Sequence, residues 1–127
     1  MTLVRIRAAD YWNATAIELV SGRQYRLRAK GTWHDAWISC GPSGYESPNA
    51  YMRWFEHLRR APTQNWFALM GAFDRNDRNA FLIGENAVIT PERDCVLLCF
   101  ANDVPFGYWN NWGEVALQVE LAETFGE

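Results

Sequence analysis

The residues best suited to chemistry lie in one polar stretch, Asn102–Gly113. It combines the carboxylate of Asp103 with the side-chain amides of Asn102, Asn110 and Asn111 and with flexible backbone carbonyls. Hard oxygen donors of this kind suit Ca²⁺, which takes about 6–8 oxygen ligands. The stretch contains no cysteine or histidine, which excludes a zinc site there. The alternative is a tight turn whose amides bond to their own backbone.

The flanking segments place this stretch in a loop between two strands. Asp94–Ala101 is apolar almost throughout, which predicts a strand covered on both faces. Val115–Leu121 alternates apolar and polar residues, which predicts a strand with one buried face. The loop is therefore expected at one end of a β-sheet structure.

Further strands are predicted along the whole chain. Gln24–Lys30 alternates strictly and is the clearest of them. Shorter candidates are Leu3–Ala8, Thr15–Val20, Phe67–Phe73, Ala80–Ile83 and Ala87–Thr90. Glycine, proline and asparagine turns separate these runs, a spacing typical of a sandwich or barrel. The prediction is an all-β, jelly-roll-like β-sandwich with one short helix.

The helix is predicted over Asn49–Arg59. Apolar residues recur there at the i, i+3, i+4, i+7 spacing of one helical face: Tyr51, Trp54, Phe55 and Leu58. Ser47 is the expected N-cap, and Pro48 suits the first helical turn.

Composition excludes several classes of protein. The 127 residues suit a single domain spanning 1–127, and the net charge of −3 argues against nucleic acid as the main partner. No apolar run approaches the roughly 20 residues of a membrane span, which argues against membrane insertion. Met1–Asp10 lacks the apolar core of a secretory signal, so we expect a cytoplasmic protein or export by another route. Three cysteines without zinc-site spacing are expected to be reduced thiols: Cys40, Cys95 and Cys99.

The polar loop also resembles a known family. Asn102-Asp103-Val104-Pro105, Tyr108, Asn110-Asn111 and Gly113 are similar to the calcium and galactose loop of the PA-IL-type galactophilic lectins, which are small bacterial β-sandwiches. Four upstream segments also resemble this family and occur in the family's order: Ala29–Trp33, Gly41–Gly44, Ala68–Gly71 and Ile83-Gly84. The resemblance covers roughly residues 11 to 121.

The resemblance implies one Ca²⁺ in the loop, with two neighbouring sugar hydroxyls completing its coordination. The implied ligands are the side-chain oxygens of Asp103, Asn110 and Asn111, the backbone carbonyl of Gly107, and a carbonyl of either His34 or Asp35. A site with so few charges is expected to bind Ca²⁺ weakly by itself. Multivalency would then supply avidity, so a homo-oligomer is expected.

A galactoside or related glycan is the implied ligand. The implied sugar contacts are Asp103, Val104, Asn110, Trp112, Ser47 and Asn49. Trp112 is the preferred stacking residue among the aromatics near the loop, which also include Trp33, Trp37, Tyr108 and Trp109. The family places a histidine and a glutamine where Ser47 and Ala50 stand here, and the Ser47–Gln64 segment is several residues longer. The pocket wall is therefore expected to be rebuilt.

Enzyme readings are weaker, and we predict no catalytic activity. Asp74–Asn79 followed by Glu85 fails as an EF-hand because its sixth position is Asn79 instead of glycine. His34, Asp35 and Cys40 lie too close in sequence to form a triad easily. For a glycosidase pair, Asp35 is the only candidate partner of Asp103.

The alternative function is an oligomeric structural or interaction module that kept the fold and lost sugar binding. Under that hypothesis, the helix aromatics form a subunit or partner interface: Tyr51, Trp54 and Phe55.

Overall fold

The computed structural model describes residues 1–122 and shows two packed antiparallel β-sheets within that range. The strands are β1 Thr2–Arg7, β2 Asn13–Leu19, β3 Tyr25–Asp35, β4 Ile38–Cys40, β5 Leu69–Ala72, β6 Phe81–Leu82, β7 Asn86–Ile89, β8 Cys95–Ala101 and β9 Asn111–Leu121. The α-helix of the described residues is α1, Ala50–Trp54. The predicted β-sandwich with a short helix is confirmed.

The two sheets have different strand orders. The first runs β1-β9-β3-β4, and β7 pairs with β3 as well. Both β7 and β4 pair with the same edge of β3, which is long enough to hold β7 at its start and β4 at its end. The second sheet runs β2-β8-β5-β6. β3 and β8 are thus interior strands of facing sheets, and both lead toward the polar loop.

The core lies between the sheets and follows the predicted alternation. β9 buries Val115, Leu117 and Val119, and β3 buries Leu27 and Trp33. These side chains meet the inward residues of the other sheet in one apolar cluster. Each fully buried large apolar side chain contributes about 1.5–3 kcal/mol. This rigid core holds the strand ends that carry the polar loop.

β8 is covered on both faces over most of its length, as its apolar run predicted. Leu97 and Cys99 point into the main core. Phe100 points outward and is buried under Trp12, whose ring meets it edge-on at 5.2 Å. The guanidinium of Arg60 lies 3.6 Å from the Phe100 ring centre and completes the cover. The outer face of β8 is thus closed by residues from distant parts of the chain.

Two strands extend further toward the polar loop than the alternation predicted. β3 continues to Asp35 instead of ending at Lys30, and β9 begins at Asn111 instead of Val115. The two strands pair residue by residue up to Asp35 opposite Asn111. The ladder hydrogen bonds carry the strands past the point where hydrophobic alternation fades. β4 was not predicted, because three residues are too few to show a period.

The helix is shorter than predicted and is capped by a different residue. α1 ends at Trp54 and is followed by a 3-10 turn, Glu56–Leu58. Asn49 is the N-cap, and its Oδ1 accepts a 2.8 Å hydrogen bond from the backbone N–H of Met52. The expected cap, Ser47, is wrong because its hydroxyl is bonded elsewhere. It accepts from Trp66 Nε1 at 2.8 Å and donates to the Glu56 carboxylate.

The cysteines are free thiols, and Cys99 is buried in the main core. Burial raises the pKa of the Cys40 thiol to about 11, with the Asp35 charge adding to that effect. These thiols are therefore protonated and structural near neutral pH. Across residues 1–122, no helix has the length and apolar character needed to span a bilayer.

Candidate functional site

Three segments meet at one end of the sandwich: the end of β3, the 102–110 loop and the start of β9. Pairing of β3 with β9 sets Asp35 opposite Asn111. The backbone N–H of Ala36 donates to the carbonyl of Asn110 at 3.1 Å, which ties the β3–β4 turn to the loop. The loop follows directly from the buried end of β8, so Asp103 enters the same place from the opposite sheet.

Asp103 is a buried carboxylate, with 4% of its surface exposed. Its Oδ1 accepts from the backbone N–H of Val104 at 2.7 Å, and its Oδ2 accepts from Asn111 Nδ2 at 3.1 Å. Burial and, to a smaller extent, the charge of Asp35 raise the pKa of Asp103 to about 7 against the lowering effect of both hydrogen bonds. The two hydrogen bonds do not offset burial and the like charge of Asp35, so a cation beside Asp103 would stabilise its ionised form.

Asp35 lines the same cavity as Asp103. Its Oδ2 accepts a 2.6 Å hydrogen bond from the hydroxyl of Tyr45. Burial raises the pKa of Asp35, and the Tyr45 bond partly offsets that rise. Tyr45 is held by its backbone N–H, which donates to the carbonyl of Trp66 at 2.8 Å. The position of the Asp35 carboxylate thus depends on contacts between the 41–45 turn and the 66–68 segment.

Gly44 makes that contact possible. Its φ of 75° lies in the left-handed region, and a Cβ there would lie 2.1 Å from the carbonyl oxygen of Trp66. Only glycine allows the turn to approach this backbone so closely. Glycine at position 44 is therefore required both by the fold and by the placement of Tyr45 against Asp35.

Two amide oxygens in the site are buried without a hydrogen-bond partner: Asn110 Oδ1 and Asn111 Oδ1. The amide nitrogen of Asn111 is used, since it donates to Asp103 Oδ2 and to the carbonyl of Ala8 at 3.3 Å. Leaving a buried acceptor unsatisfied costs about 1–3 kcal/mol. Such unpartnered oxygens beside a buried carboxylate indicate a place for a ligand with positive charge.

Gly107 brings the loop backbone against the Asp103 carboxylate. A Cβ at this position would lie 3.0 Å from both carboxylate oxygens and 2.9 Å from Val104 Cγ2. The chain turns here through a hydrogen bond from the N–H of Gly107 to the carbonyl of Val104 at 3.0 Å. The resemblance assigns this residue a backbone carbonyl ligand, and the close approach is compatible with that role.

The donor set fits a hard cation. Two carboxylates and two unpartnered amide oxygens are the oxygen ligands that Ca²⁺ prefers, and they leave coordination positions open. Among residues 1–122, no group of three or more histidine, cysteine, aspartate or glutamate side chains is placed to hold a metal. A site here therefore depends on amide and backbone oxygens in addition to the carboxylates.

His34 and Trp112 lie on the opposite face of the first sheet. Their rings stack with centres 3.7 Å apart and planes at 12°. His34 Nδ1 pairs with Ser39 Oγ at 2.8 Å, and Trp112 Nε1 donates to the carbonyl of Ala36 at 2.9 Å. Successive side chains of a strand point to opposite faces, so these two turn away where Asp35 and Asn111 turn in.

Three of the residues predicted for the site do not line the cavity: His34, Trp112 and Ser47. Of the two alternatives for the further ligand, Asp35 lines the cavity and His34 does not. Trp112 does not line it either, so the expected stacking residue is outside the pocket. Ser47 is also absent from the lining, because it is engaged by Trp66 and Glu56. Asn49 and Val104 do line the cavity.

The cavity has a volume of about 300 Å³. Asp35, Asp103, Gly107 and Asn110 form its polar end. The rest of the wall is largely apolar and includes Trp37, Tyr51, Met52, Phe55, Trp66 and Phe106. Of the aromatics near the loop, Trp37 lines the cavity, whereas Trp33 and Tyr108 are buried and Trp109 is exposed away from it.

Sequence reasoning missed most of this wall. The sequence predicted Tyr51 and Phe55 on a helical face and in a possible interface, and it did not single out Met52, Trp66 or Phe106. The unusual length of the Ser47–Gln64 segment was the available signal, because an insertion beside the loop must pack somewhere near it. Its helix supplies Tyr51 and Met52, and the C-cap residue of that helix supplies Phe55.

Two buried polar residues, Asn102 and Arg60, support the loop from behind. Asn102 accepts from the N–H of Ala61 at 2.9 Å, and its amide donates to carbonyls of the 61–65 segment. The backbone N–H of Arg60 donates to the carbonyl of Asp103 at 2.9 Å. Asn102 was predicted as one of the loop amides, but these contacts give it a structural role instead of a place in the cavity.

Comparison with known proteins adds a fold relationship. No protein-family model matches the chain, and no curated protein sequence matches it. A solved structure described as the EclA N-terminal domain, a PllA-like lectin, is similar with a TM-score of 0.70. The two share 16% sequence identity over 95% of this chain and 96% of that chain. This chain therefore has a lectin-like fold, and its likeness to the PA-IL-type motifs stays a prediction.

Proposed function

We propose that this protein binds carbohydrate through a Ca²⁺ ion held where β3, the 102–110 loop and β9 meet. The observation that carries the proposal is the pair of buried, unpartnered oxygens, Asn110 Oδ1 and Asn111 Oδ1, in the loop of the buried Asp103 carboxylate. A lectin-like fold and the similarity of the loop to that of the galactophilic lectins support it. A galactoside is the first ligand to test.

Residues of the 102–110 loop and the start of β9 would hold the ion and contact the sugar. Asp103, Asn110 and Asn111 would provide side-chain oxygens for the ion, and Gly107 a backbone carbonyl. Bound Ca²⁺ supplies a positive charge with open positions that two neighbouring sugar hydroxyls fill. Asp103 and Asn110 would also accept hydrogen bonds from those hydroxyls. Because few charges contribute, we expect weak metal binding that tightens when sugar is present.

We propose binding without catalysis, although Asp35 and Asp103 lie at one cavity. A glycosidase pair needs one carboxyl group free to protonate the leaving oxygen and another free to attack or to activate water. Here Asp35 accepts from the Tyr45 hydroxyl, and Asp103 accepts from Val104 and Asn111. These bonds still leave Asp103 lone pairs for the cation, and a carboxylate bound to a cation is not free to act as the acid or as the nucleophile.

The direct test is calorimetric titration of chelator-stripped protein with Ca²⁺, with and without galactose. Saturable Ca²⁺ binding that tightens with galactose is the expected result. Ca²⁺ binding indifferent to galactose would keep the metal site and redirect the search to other glycans. No Ca²⁺ binding would overturn the proposal and leave the loop as an asparagine-rich turn.

A matched pair of variants localises the site on the chain. Asp103→Asn removes the carboxylate charge with almost no change in shape and should abolish both Ca²⁺ and sugar binding. Asp94→Asn is the control, since Asp94 precedes β8 at the opposite end from Asp103. It should leave both bindings unchanged. Sugar binding retained by Asp103→Asn would contradict the proposed mechanism.

A second candidate function is an oligomeric interaction module. The observation in its favour is the exposure of two aromatics on α1, Tyr51 at 73% and Trp54 at 75%. Light scattering of the wild type and of Trp54→Ala tests it. If this variant dissociates an oligomer, the helix forms the interface. If the oligomer is unchanged, the helix only lines the cavity. A homo-oligomer of either kind would give a weak lectin site avidity.

A further inference from the structure

The face of the first sheet that points away from the core concentrates positive charge. Its exposed side chains include five cations, two on β1 and three on β3: Arg5, Arg7, Arg26, Arg28 and Lys30. These are five of the chain's twelve basic residues. Among residues 1–122, three acidic side chains lie on this face or at its edge: Glu85, Glu114 and Glu120. This basic face is therefore positive on a chain whose net charge is −3.

Strand pairing arranges these cations in two rows. Ala116 of β9 lies opposite Arg5 on one side and opposite Lys30 on the other, so the rows are separated by two strand spacings of about 4.8 Å each. Along β3 the cations occupy every second residue, or roughly every 6.8 Å. A linear ligand with repeated negative charges can follow these rows.

Most of the cations on the basic face are not neutralised by a neighbour. Arg5 bonds Glu114 at 3.2 Å, and both side chains are exposed. The other four form no ion pair with any residue of the 1–122 range: Arg7, Arg26, Arg28 and Lys30. A bound anion would relieve the repulsion among these like charges. The same face of a second copy would increase it, which disfavours a symmetric sheet-to-sheet dimer.

A shallow depression of about 330 Å³ lies within the basic face. Its polar lining consists of two cations, two amides and one carboxylate: Arg28, Lys30, Asn86, Gln118 and Glu85. Within residues 1–122 the side chains of Asn86 and Gln118 have no hydrogen-bond partner, so each can donate to and accept from a hydroxyl group. The Glu85 carboxylate accepts from the hydroxyl of Ser43 at 3.0 Å. This combination suits an anionic ligand that also carries hydroxyls.

The side chains of the basic face favour a carboxylate polymer over a nucleic acid. Four of its five cations are arginines, whose planar guanidinium groups match the two oxygens of a carboxylate. Proteins that bind single-stranded nucleic acid stack its bases on aromatic rings. Between the two rows, β9 presents Glu114, Ala116 and Gln118, which offer a base no such ring.

We propose that the basic face binds acidic polysaccharides whose sugar units carry carboxylates. Arg28 and Lys30 bind a carboxylate, Asn86 and Gln118 bond the neighbouring hydroxyls, and the row on β1 meets the next charges along the polymer. The alternation of β3 turns these cations away from the core, so the surface is separate from the Ca²⁺ site and needs no metal. The proposal therefore holds whether or not the loop binds Ca²⁺.

The test compares a galacturonate oligosaccharide with its fully methyl-esterified form, titrated calorimetrically into metal-free protein. The two ligands share one sugar backbone, and only the first carries charge. The acid form should bind more than about tenfold more tightly, because unpaired cations on the basic face attract it. Its affinity should fall by more than about tenfold between roughly 50 and 500 mM NaCl, because salt screens exposed charges.

Two double variants locate the binding surface. Arg28→Gln with Lys30→Gln removes two exposed cations and should weaken binding of the acid form by more than about fivefold. Arg75→Gln with Arg78→Gln is the control, because it changes the net charge equally at exposed positions between β5 and β6 of the other sheet. The control should keep its affinity within about twofold of the wild type, since distant charges are screened.

A third variant adds charge to the basic face. Ala116→Glu places a carboxylate in the depression, opposite a cation on each neighbouring strand. It should weaken binding of the acid form by more than about tenfold, because the new side chain pairs those cations and repels the ligand. Urea unfolding verifies that the variant is folded, and unchanged affinity in the folded variant would refute the proposed position of the ligand.

Several other results would overturn the inference. Equal affinities for the acid and esterified forms would mean that the carboxylates are not recognised. Equal losses in the two double variants would mean that net charge alone controls binding. Tighter binding of single-stranded DNA or of phosphatidylserine vesicles would show that the face takes another kind of anion. The Arg28→Gln, Lys30→Gln protein should keep the Ca²⁺ and galactose binding of the wild type, so failure of this inference is distinguishable from failure of the proposed function.

Discussion

Asp35 and Asp103 come from opposite sheets of the sandwich, and the charge of Asp35 raises the pKa of the buried Asp103 carboxyl. Asp35 is the last residue of β3, where it pairs with Asn111, and Asp103 follows the end of β8. Convergence of two acidic groups in a buried place costs stability when nothing balances their charge. The protein retains this arrangement beside two unpartnered amide oxygens, which is the pattern of a cation site.

The metal-free protein should become less stable as the pH rises. Burial gives Asp103 a folded-state pKa of about 7, raised from 3.8. Between those values the unfolded chain has lost the proton that the folded protein still holds, so the free energy of unfolding falls with rising pH. Urea unfolding in chelator, followed by tryptophan fluorescence, should show this decline. In Asp103→Asn the decline should be smaller, and identical pH profiles for the two proteins would contradict the assignment.

Calcium affinity should have the opposite pH dependence. A carboxyl ligand must lose its proton before it binds metal, so protons compete with Ca²⁺ at Asp103. Affinity should be highest above the pKa of about 7 and should fall as the pH drops below it. Titrations at a series of pH values and constant ionic strength measure this. Affinity independent of pH across that range would mean that Asp103 does not bind the ion.

Asn110→Ala should weaken Ca²⁺ binding by more than about tenfold, since even the loss of an outer-shell partner typically has that effect. The same variant should leave the metal-free protein about as stable as the wild type. Asn110 Oδ1 has no hydrogen-bond partner, so its removal breaks none. Calorimetry and urea unfolding separate the two effects. A large loss of stability in chelator would show that Asn110 has a structural role.

Arg60→Ala should destabilise the fold by about 3–5 kcal/mol, because it removes the buried half of an ion pair together with the hydrogen bonds that this guanidinium donates. The Arg60 side chain is fully buried, bonds Asp77 at 2.9 Å and donates to the hydroxyl of Tyr108. Arg93→Ala is the matched control. Arg93 also bonds an aspartate, Asp74 at 3.2 Å, but its side chain is 66% exposed. Urea unfolding should show only a small loss for this control, and equal losses in both variants would refute the role of burial.

Gly44→Ala should both destabilise the protein and weaken Ca²⁺ binding. A Cβ at Gly44 collides with the backbone of Trp66 and Ala68, and the resulting shift moves Tyr45 away from Asp35. Gly22→Ala is the control, because Gly22 has a similar φ of 80° but nothing within 4 Å of a Cβ. The control should lose about 1–2 kcal/mol from backbone strain alone and keep its Ca²⁺ affinity. Equal effects of the two variants would mean that the close approach does not matter.

The class of fold and the polar half of the site could be predicted from the sequence. Alternation in Gln24–Lys30 and Val115–Leu121 predicted strands because one-sided burial imposes a period of two. Asp103, Asn110 and Asn111 were predictable as an oxygen-rich group because they are close in sequence. The helix was found, but its cap was assigned to Ser47, because sequence alone does not show that Trp66 and Glu56 engage that hydroxyl.

Sequence alone thus determined the all-β character, the strand-flanked loop and the oxygen-rich chemistry of its side chains, since these depend on local pattern and composition. Tertiary structure decided that Asp35 faces the loop while His34 and Trp112 turn away, because strand register selects which face each side chain occupies. It also decided that a helix from the Ser47–Gln64 segment walls the cavity with aromatics. Such contacts join residues far apart in the chain, and only packing of the whole core brings them together.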